Sequence, residues 1–242
     1  DSYNVAVGYN TAQNITTGVQ NTLIGSLAGD AFTTGTLNVA LGYNSLGADT
    51  KGNRNTALGR NTLAAQNFTT STSAYNVAAG FNAGGAVTTG LENTLIGSVA
   101  GDALTDADYN VALGSSALGS DTLGSRSTAL GYSALFNQNF TTATNSNNTA
   151  VGYAAGSQVT TGTLNTLIGS TAGDALTTGG ENVALGYAAL SADDVGGHST
   201  AIGAFALQVQ NFATATDSHN TAVGYAAGNQ VTTGVRNTIV GG

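Results

Sequence analysis

The stretch that decides the fold runs from residue 148 to 169 and reads NTAVGYAAGSQVTTGTLNTLIG, with one five-residue motif at each end. The motif has Asn, then Thr or Val, then Ala or a larger aliphatic residue, then an aliphatic residue, then Gly. It occurs 14 times, with Ser in place of Asn at 127 and 199. The intervals between successive motif glycines follow the pattern 17/17/17/21 three times over, before a last step of 17. The chain is therefore a tandem repeat with a unit of about 17 residues.

The four-unit rhythm defines a longer super-repeat. Its copies span 4–75, 76–147 and 148–219, and 220–242 is a partial fourth copy. Because every unit follows one pattern, residues 1–242 are predicted to form a single repetitive segment. The sequence contains no Met and no secretory signal, which favours a segment of a longer fibre protein.

Composition excludes several classes of protein. The 242 residues include no Cys, so they provide neither a disulfide framework nor a thiolate metal site. Five Lys and Arg stand against 13 Asp and Glu, a net charge of −8, which argues against a nucleic-acid partner. No apolar run approaches the roughly 20 residues that span a bilayer, so no membrane insertion is expected.

A 17-residue unit is too short for a helical repeat, which needs about 33 residues for a helix pair. The segments between glycines are rich in Thr and Val, a composition typical of strands bounded by turns. The sequence thus predicts an all-β parallel β-solenoid, or β-roll, of about 14 coils with 17/17/17/21 periodicity. Each coil is expected to hold two short strands and two turns.

In a stacked solenoid, each motif position becomes a column of equivalent side chains. The fourth position is a branched aliphatic residue in all motifs but one, and we predict that it forms the core ladder. Its members are Val7, Ile24, Leu41, Leu58, Ile96, Leu113, Leu130, Val151, Ile168, Leu185, Ile202, Val223 and Val240.

The third position is mostly Ala. Neighbouring residues of a strand point to opposite faces, so we predict that this column faces a second copy of the chain. The predicted subunit interface includes Ala6, Leu23, Ala40, Leu95 and Leu167.

The first and last motif positions suit turns. Asn favours turns and can form an amide ladder along a stack. The closing glycine is best explained by a positive φ or by backbone crowding at a corner. These corner glycines are Gly8, Gly25, Gly42, Gly59, Gly80, Gly97, Gly114, Gly131, Gly152, Gly169, Gly186, Gly203, Gly224 and Gly241.

Every fourth coil carries four extra residues, which begin at Gln66, Gln138 and Gln210. They are expected to bulge from one side, where repeat proteins often bind. Two sets of Asp also recur once in each complete super-repeat: Asp30, Asp102, Asp174, and Asp49, Asp121, Asp193. No calcium-loop pattern accompanies them, so solvated, turn-forming Asp is the preferred interpretation.

Two passages carry a family resemblance: NTAVGY at 148–153 and 220–225, and NVALGY at 38–43 and 182–187. They resemble the NTAxGY repeats of phage tail fibres and are similar to the head repeats of YadA-like trimeric autotransporter adhesins. The resemblance covers essentially the whole chain. It implies a left-handed parallel β-roll, a homotrimer, and a role in attachment to surfaces. The 17-residue unit departs from the adhesin family, whose period is about 14.

Few residues suggest chemistry. His198 and His219 lie in one column on adjacent coils, but two ligands fall short of a normal metal shell. Ser is plentiful without a positioned base or a G-x-S-x-G elbow. We therefore expect no enzyme, no catalytic residue, no metal and no cofactor. An aromatic residue follows the motif glycine in seven coils, where it would either cover the coil corner or stack on sugar rings: Tyr9, Tyr43, Phe81, Tyr132, Tyr153, Tyr187 and Tyr225.

The sequence favours a structural or adhesive segment of an extracellular fibre, on a virion or a cell surface. Expected partners are two further copies, other fibre or baseplate segments, and a host surface glycan. One alternative is an ice- or crystal-surface binder that uses Thr pairs such as Thr16-Thr17 and Thr88-Thr89. A glycan depolymerase domain, with carboxylates in a groove between protomers, is the remaining alternative.

Overall fold

The computed structural model describes residues 2–241, which form strands, turns and bends with no helix among them. The chain divides into two compact units, and it passes from one to the other between Ser116 and Ala117. Each unit is a parallel β-solenoid, and the chain forms about 14 coils. Equivalent residues of most consecutive coils, such as Asn21 and Asn38, are 17 residues apart. The predicted fold class is confirmed.

One three-residue strand per coil covers the second to fourth motif positions. In the first unit these strands are Val5–Val7, Thr22–Ile24, Val39–Leu41, Thr56–Leu58, Val77–Ala79, Thr94–Ile96 and Val111–Leu113. In the second unit they are Thr128–Leu130, Thr149–Val151, Thr166–Ile168, Val183–Leu185, Thr200–Ile202, Thr221–Val223 and Thr238–Val240. Within each unit, pairing is parallel and in register, so that Leu95, for example, lies beside Ala112.

Among residues 2–241, the predicted second strand of a coil is present only where a 21-residue coil follows a 17-residue coil. There, two-residue strands form three parallel pairs: Gly52–Asn53 with Thr72–Ser73, Gly124–Ser125 with Thr144–Asn145, and Gly196–Gly197 with Thr216–Asp217. In the other coils the equivalent residues, such as Gly35 and Thr36, belong to no strand and lie among bends.

Left-handed residues other than glycine recur two and four positions after the motif glycine and directly before the motif Asn. Gln20, Leu27 and Leu46 are examples, with φ between 50° and 60°. Such residues cost about 1 kcal/mol or more each. Inter-coil hydrogen bonds offset this cost, as when Leu27 N donates to Tyr9 O at 2.9 Å. Glycine content alone did not indicate these turns.

The predicted assignment of the two apolar columns is wrong for the single chain, because the structure exchanges inside and outside. Leu23, Ala40, Leu95 and Leu167 of the third column are fully buried, while Ala6 is exposed in the first coil. Ten members of the predicted core ladder are exposed instead: Val7, Ile24, Leu41, Leu58, Ile96, Leu113, Leu130, Leu185, Val223 and Val240. Val151, Ile168 and Ile202 are intermediate in exposure.

The slender interior explains the exchange. Larger side chains were expected inside, but the coil leaves room mainly for Ala in the third column. Where that column carries Leu, glycines make the space: a Cβ added to Gly84 or Gly101 would lie 2.7 Å from a methyl of Leu95. The core thus combines the mostly Ala third column with large, fully buried side chains from outside the strands, such as Phe32, Leu46 and Leu63.

Candidate interaction face

The outward side of the strands is an uncharged apolar face, which we call the outer face and define as the second and fourth motif positions. The second position alternates mainly between Thr and Val, and the fourth is aliphatic. Ile24, Leu58 and Ile96 are each 37–39% exposed. No charged residue occupies either position in any motif. Within each unit, an exposed aliphatic column beside an uncharged Thr and Val column is typical of interaction sites.

The aromatic residues after the motif glycine are neither fully covered nor fully free. Tyr43, Phe81, Tyr132, Tyr153 and Tyr187 are 48–60% exposed, so about half of each residue's surface is covered. Tyr9 and Tyr225 are also exposed.

These aromatic rings contact one another and an arginine from coil to coil. Tyr132 and Tyr153 stack with ring centroids 5.5 Å apart and planes 10° apart. Arg60 lies between the rings of Tyr43 and Phe81, 5.7 Å from each centroid. These contacts involve the rings of Tyr43, Phe81, Tyr132 and Tyr153, and all four residues remain 48–60% exposed.

The two histidines lie together on adjacent coils, as the column arrangement predicts, with ring centroids 5.0 Å apart. His198 Nε2 is 3.2 Å from Glu181 Oε2, and His198 Nδ1 is 3.2 Å from Asp217 Oδ1 without forming a hydrogen bond. The two carboxylates approach opposite sides of one ring. Within residues 2–241, no group of three or more His, Cys, Asp or Glu side chains is arranged to hold a metal ion.

The motif Asn residues form the predicted amide ladder inside the coils. Asn21 Oδ1 accepts from Asn38 N at 3.0 Å, and Asn38 Oδ1 accepts from Asn55 N at 2.9 Å. Asn38 Nδ2 also donates to Gly52 O at 2.8 Å. Each amide therefore satisfies backbone groups at two corners, which explains why a polar residue is buried there.

The corner glycines all have positive φ, between 125° and 141°. At Gly97, an added Cβ would lie 2.5 Å from O of Gly114, the motif glycine of the next coil. The same collision occurs at other motif glycines, such as Gly25 and Gly152, but not at Gly241. Conformation and crowding therefore both require glycine.

One set of recurrent aspartates is buried, so the expectation of solvated Asp is wrong for Asp49, Asp121 and Asp193. They do form turns, because Asp49 Oδ1 accepts from Gly52 N at 2.9 Å. Burial raises the pKa of Asp49 and of Asp193, although Gln and backbone N–H donors act in the opposite direction. The pKa values of Asp30, Asp102 and Asp174 are also raised by burial, but these residues are only partly enclosed.

The extra residues of the 21-residue coils turn partly inward, which corrects the expected bulge. Gln66, Gln138 and Gln210 are fully buried, and Phe68, Phe140 and Phe212 are 5–6% exposed. Only the polar remainder, such as Asn67 and residues 69–71, faces solvent. Sequence reasoning missed this inward role. The signal was present, because the corresponding position is apolar in two coils, Asp in the third and Gln in the fourth.

The two members of a Thr pair differ in their hydroxyl contacts. The first Thr of most pairs donates to the backbone of the next coil: Thr16 Oγ1 to Thr33 O at 3.0 Å, and Thr88 Oγ1 to Thr105 O at 3.1 Å. Among the second members, Thr89 Oγ1 donates to Asp106 Oδ1 at 2.6 Å. The hydroxyl protons of these three residues are therefore engaged within the chain.

Three comparisons with known proteins add no relative: no family model, curated protein or solved structure matches the chain. Across residues 2–241, no helix is long and apolar enough to cross a membrane. Any functional conclusion therefore depends on the coils themselves.

Proposed function

We propose that this chain is a structural and adhesive segment of an extracellular fibre, of the tail-fibre or trimeric-adhesin kind, without enzymatic activity. The observation that carries the proposal is the outer face, where the aliphatic fourth column lies exposed on in-register coils. Parallel ladders resist extension along the stack, which suits a projecting element. The repeat motifs resemble those of fibres with that role.

Three copies of the chain are proposed to cover one another's outer faces. Burying the remaining two-fifths of an aliphatic side chain contributes about 1 kcal/mol. Seven coils in one unit would then contribute roughly 5–7 kcal/mol per chain. This amount falls within the association cost of about 4–15 kcal/mol, so contacts from both units are needed for a stable trimer.

The trimer thus uses a different column from the one expected from sequence. Leu41 and Ile96 are exposed and uncharged, whereas Ala40 and Leu95 are enclosed within their own coil. The host-facing contacts, for which a surface glycan remains the proposed ligand, would come from side chains outside the interface.

Sedimentation equilibrium tests the assembly. We expect a species of three times the 23.8 kDa chain mass. Leu41→Lys would place a charge in the buried interface and should shift the chain toward monomer. Thr70→Lys, on the exposed part of a 21-residue coil, serves as the matched control and should leave the mass unchanged. A wild-type chain that stays monomeric at high micromolar concentration would overturn the trimer.

A further inference from the structure

Each complete super-repeat buries one carboxylate among neutral amide partners. In the first unit, Asp49 Oδ2 accepts from Gln66 Nε2 at 2.7 Å, and Asp49 Oδ1 accepts from Gly52 N and Phe68 N. In the second unit, Gln138 donates to Asp121 at 2.5 Å and Gln210 donates to Asp193 at 2.6 Å. A buried charge without a cationic partner is costly. Its recurrence at one place in each super-repeat calls for a structural reason.

The Asn ladder fixes the direction of these hydrogen bonds. Asn76 Oδ1 accepts from Asn93 N at 2.9 Å, while Asn76 Nδ2 donates to Gly90 O at 2.7 Å. The same amide nitrogen donates to Gln66 Oε1 at 2.9 Å. Gln66 must therefore turn its own nitrogen toward Asp49. An acceptor is required at that point, and a carboxyl oxygen of Asp49 supplies it.

The other two layers repeat this arrangement. Asn148 Nδ2 donates to Gln138 Oε1 at 2.8 Å, and Asn220 Nδ2 donates to Gln210 Oε1 at 2.7 Å. Here Ser replaces the motif Asn, and each Gln also donates to it: Gln138 to Ser127 Oγ and Gln210 to Ser199 Oγ, both at 2.8 Å. The order Asp, Gln, Asn is retained even where the surrounding residues change.

The neighbouring coils offer the carboxylate no alternative partner. Phe32 precedes Asp49 in the same column and Val87 follows Gln66, and both side chains are fully buried. If the chain skipped one coil during stacking, Asp49 would face an apolar side chain in place of Gln66. Repeat proteins are prone to this type of misassembly, because their coils are nearly interchangeable.

We propose that each Asp–Gln–Asn layer is a directional relay that binds the 21-residue coil to the coil before it and so sets the order in which the coils stack. Buried polar groups fix register in other repetitive assemblies, where apolar packing alone leaves alternatives open. The relay is formed within one chain. It therefore does not depend on the fibre role or on the number of copies.

A reciprocal substitution tests the direction of the relay. Asp49→Asn sets two N–H donors against each other, and Gln66→Glu sets two buried carboxylates against each other. The double variant Asp49→Asn/Gln66→Glu restores the pairing, since the new amide donates to the new carboxylate and Asn76 donates to its other oxygen. We expect each single variant to lower the folding equilibrium constant at least about tenfold and the double variant to recover most of that loss.

Asp106→Asn changes an exposed acid of the same unit and should alter the constant less than about twofold, as is usual for surface positions. If a single variant does not fold, recovery of folding in the double variant supports the relay. If the losses of the two single variants add up in the double variant, or if the double variant also fails to fold, the relay is overturned.

Engineered disulfides report the stacking order, because the natural chain has no Cys. Thr56 and Val77 are direct neighbours in the sheet, whereas strand Thr56–Leu58 separates Val39 from Val77. Two strand spacings are about 9.6 Å, beyond the Cα separation that a disulfide spans.

After oxidative refolding, we expect the Thr56→Cys/Val77→Cys pair to close within one chain in the parent and in the double variant. The Val39→Cys/Val77→Cys pair should close only in the single variants, as identified by mass under denaturing conditions. Single variants that never form the second disulfide would show that something other than the relay sets the order.

Discussion

Leu95 and Ile96 are adjacent in one strand and test which apolar column is the core of the single chain. Leu95 is fully buried, whereas Ile96 is 37% exposed. The perturbation is truncation of each residue to Ala. The two variants share a strand, a coil and a backbone environment, so each serves as the control for the other.

The magnitude follows from the surroundings of each side chain. Buried Leu→Ala substitutions cost about 2–5 kcal/mol, and the larger values arise where neighbours cannot fill the cavity. Gly84 and Gly101 flank the Leu95 methyls and have no side chain to move inward. We therefore expect Leu95→Ala to lower the free energy of unfolding by about 4 kcal/mol. Ile96→Ala removes a partly solvated side chain and should cost about 1–2 kcal/mol.

Urea denaturation followed by far-ultraviolet circular dichroism measures both values. Both variants should be compared at a protein concentration at which sedimentation shows a single chain. At higher concentration, association would bury Ile96 and so increase the loss measured for Ile96→Ala but not the loss for Leu95→Ala. Equal losses, or a larger loss for Ile96→Ala, would refute the placement of the third column inside the coil. A loss for Ile96→Ala that grows with protein concentration would support the proposed trimer.

The remaining predictions concern the corners and the buried acids. Gly97→Ala should lower the free energy of unfolding by several kcal/mol, because an added Cβ meets Gly114 O at 2.5 Å and φ is 135°. The same denaturation assay measures this loss, and a change below about 1 kcal/mol would exclude both crowding and backbone strain as constraints at this corner. Burial raises the folded-state pKa of Asp49 and Asp193, so the folded chain binds more protons than the unfolded chain. The free energy of unfolding should therefore be greatest below the unfolded pKa and fall as pH rises from about 4 through the folded pKa values. In the double variant Asp49→Asn/Asp193→Asn, the free energy of unfolding should fall less steeply with pH. An unchanged slope would show that Asp49 and Asp193 do not cause the fall.

The repeat spacing was sufficient to predict coils, their number and the all-β class. The coils and their number depend on the interval between equivalent residues, which a printed sequence shows directly, and the all-β class followed from the short unit together with its Thr- and Val-rich segments. The Asn ladder followed for a similar reason, because identical residues at a constant interval must stack when the coils stack. Corner glycines were recognisable because few other residues tolerate the required backbone.

The sequence by itself determined that this protein is a stack of about 14 similar coils with two apolar columns on its strands. Only the tertiary structure decided which column is inside, because strand alternation gives two opposite faces without saying which one the coil encloses. Leu95 of the third column is fully buried beside Gly84 and Gly101, whereas Ile96 of the fourth column is 37% exposed. Likewise, Asp49 and Gln66 are 17 residues apart in the chain, and their contact exists only because consecutive coils lie on each other.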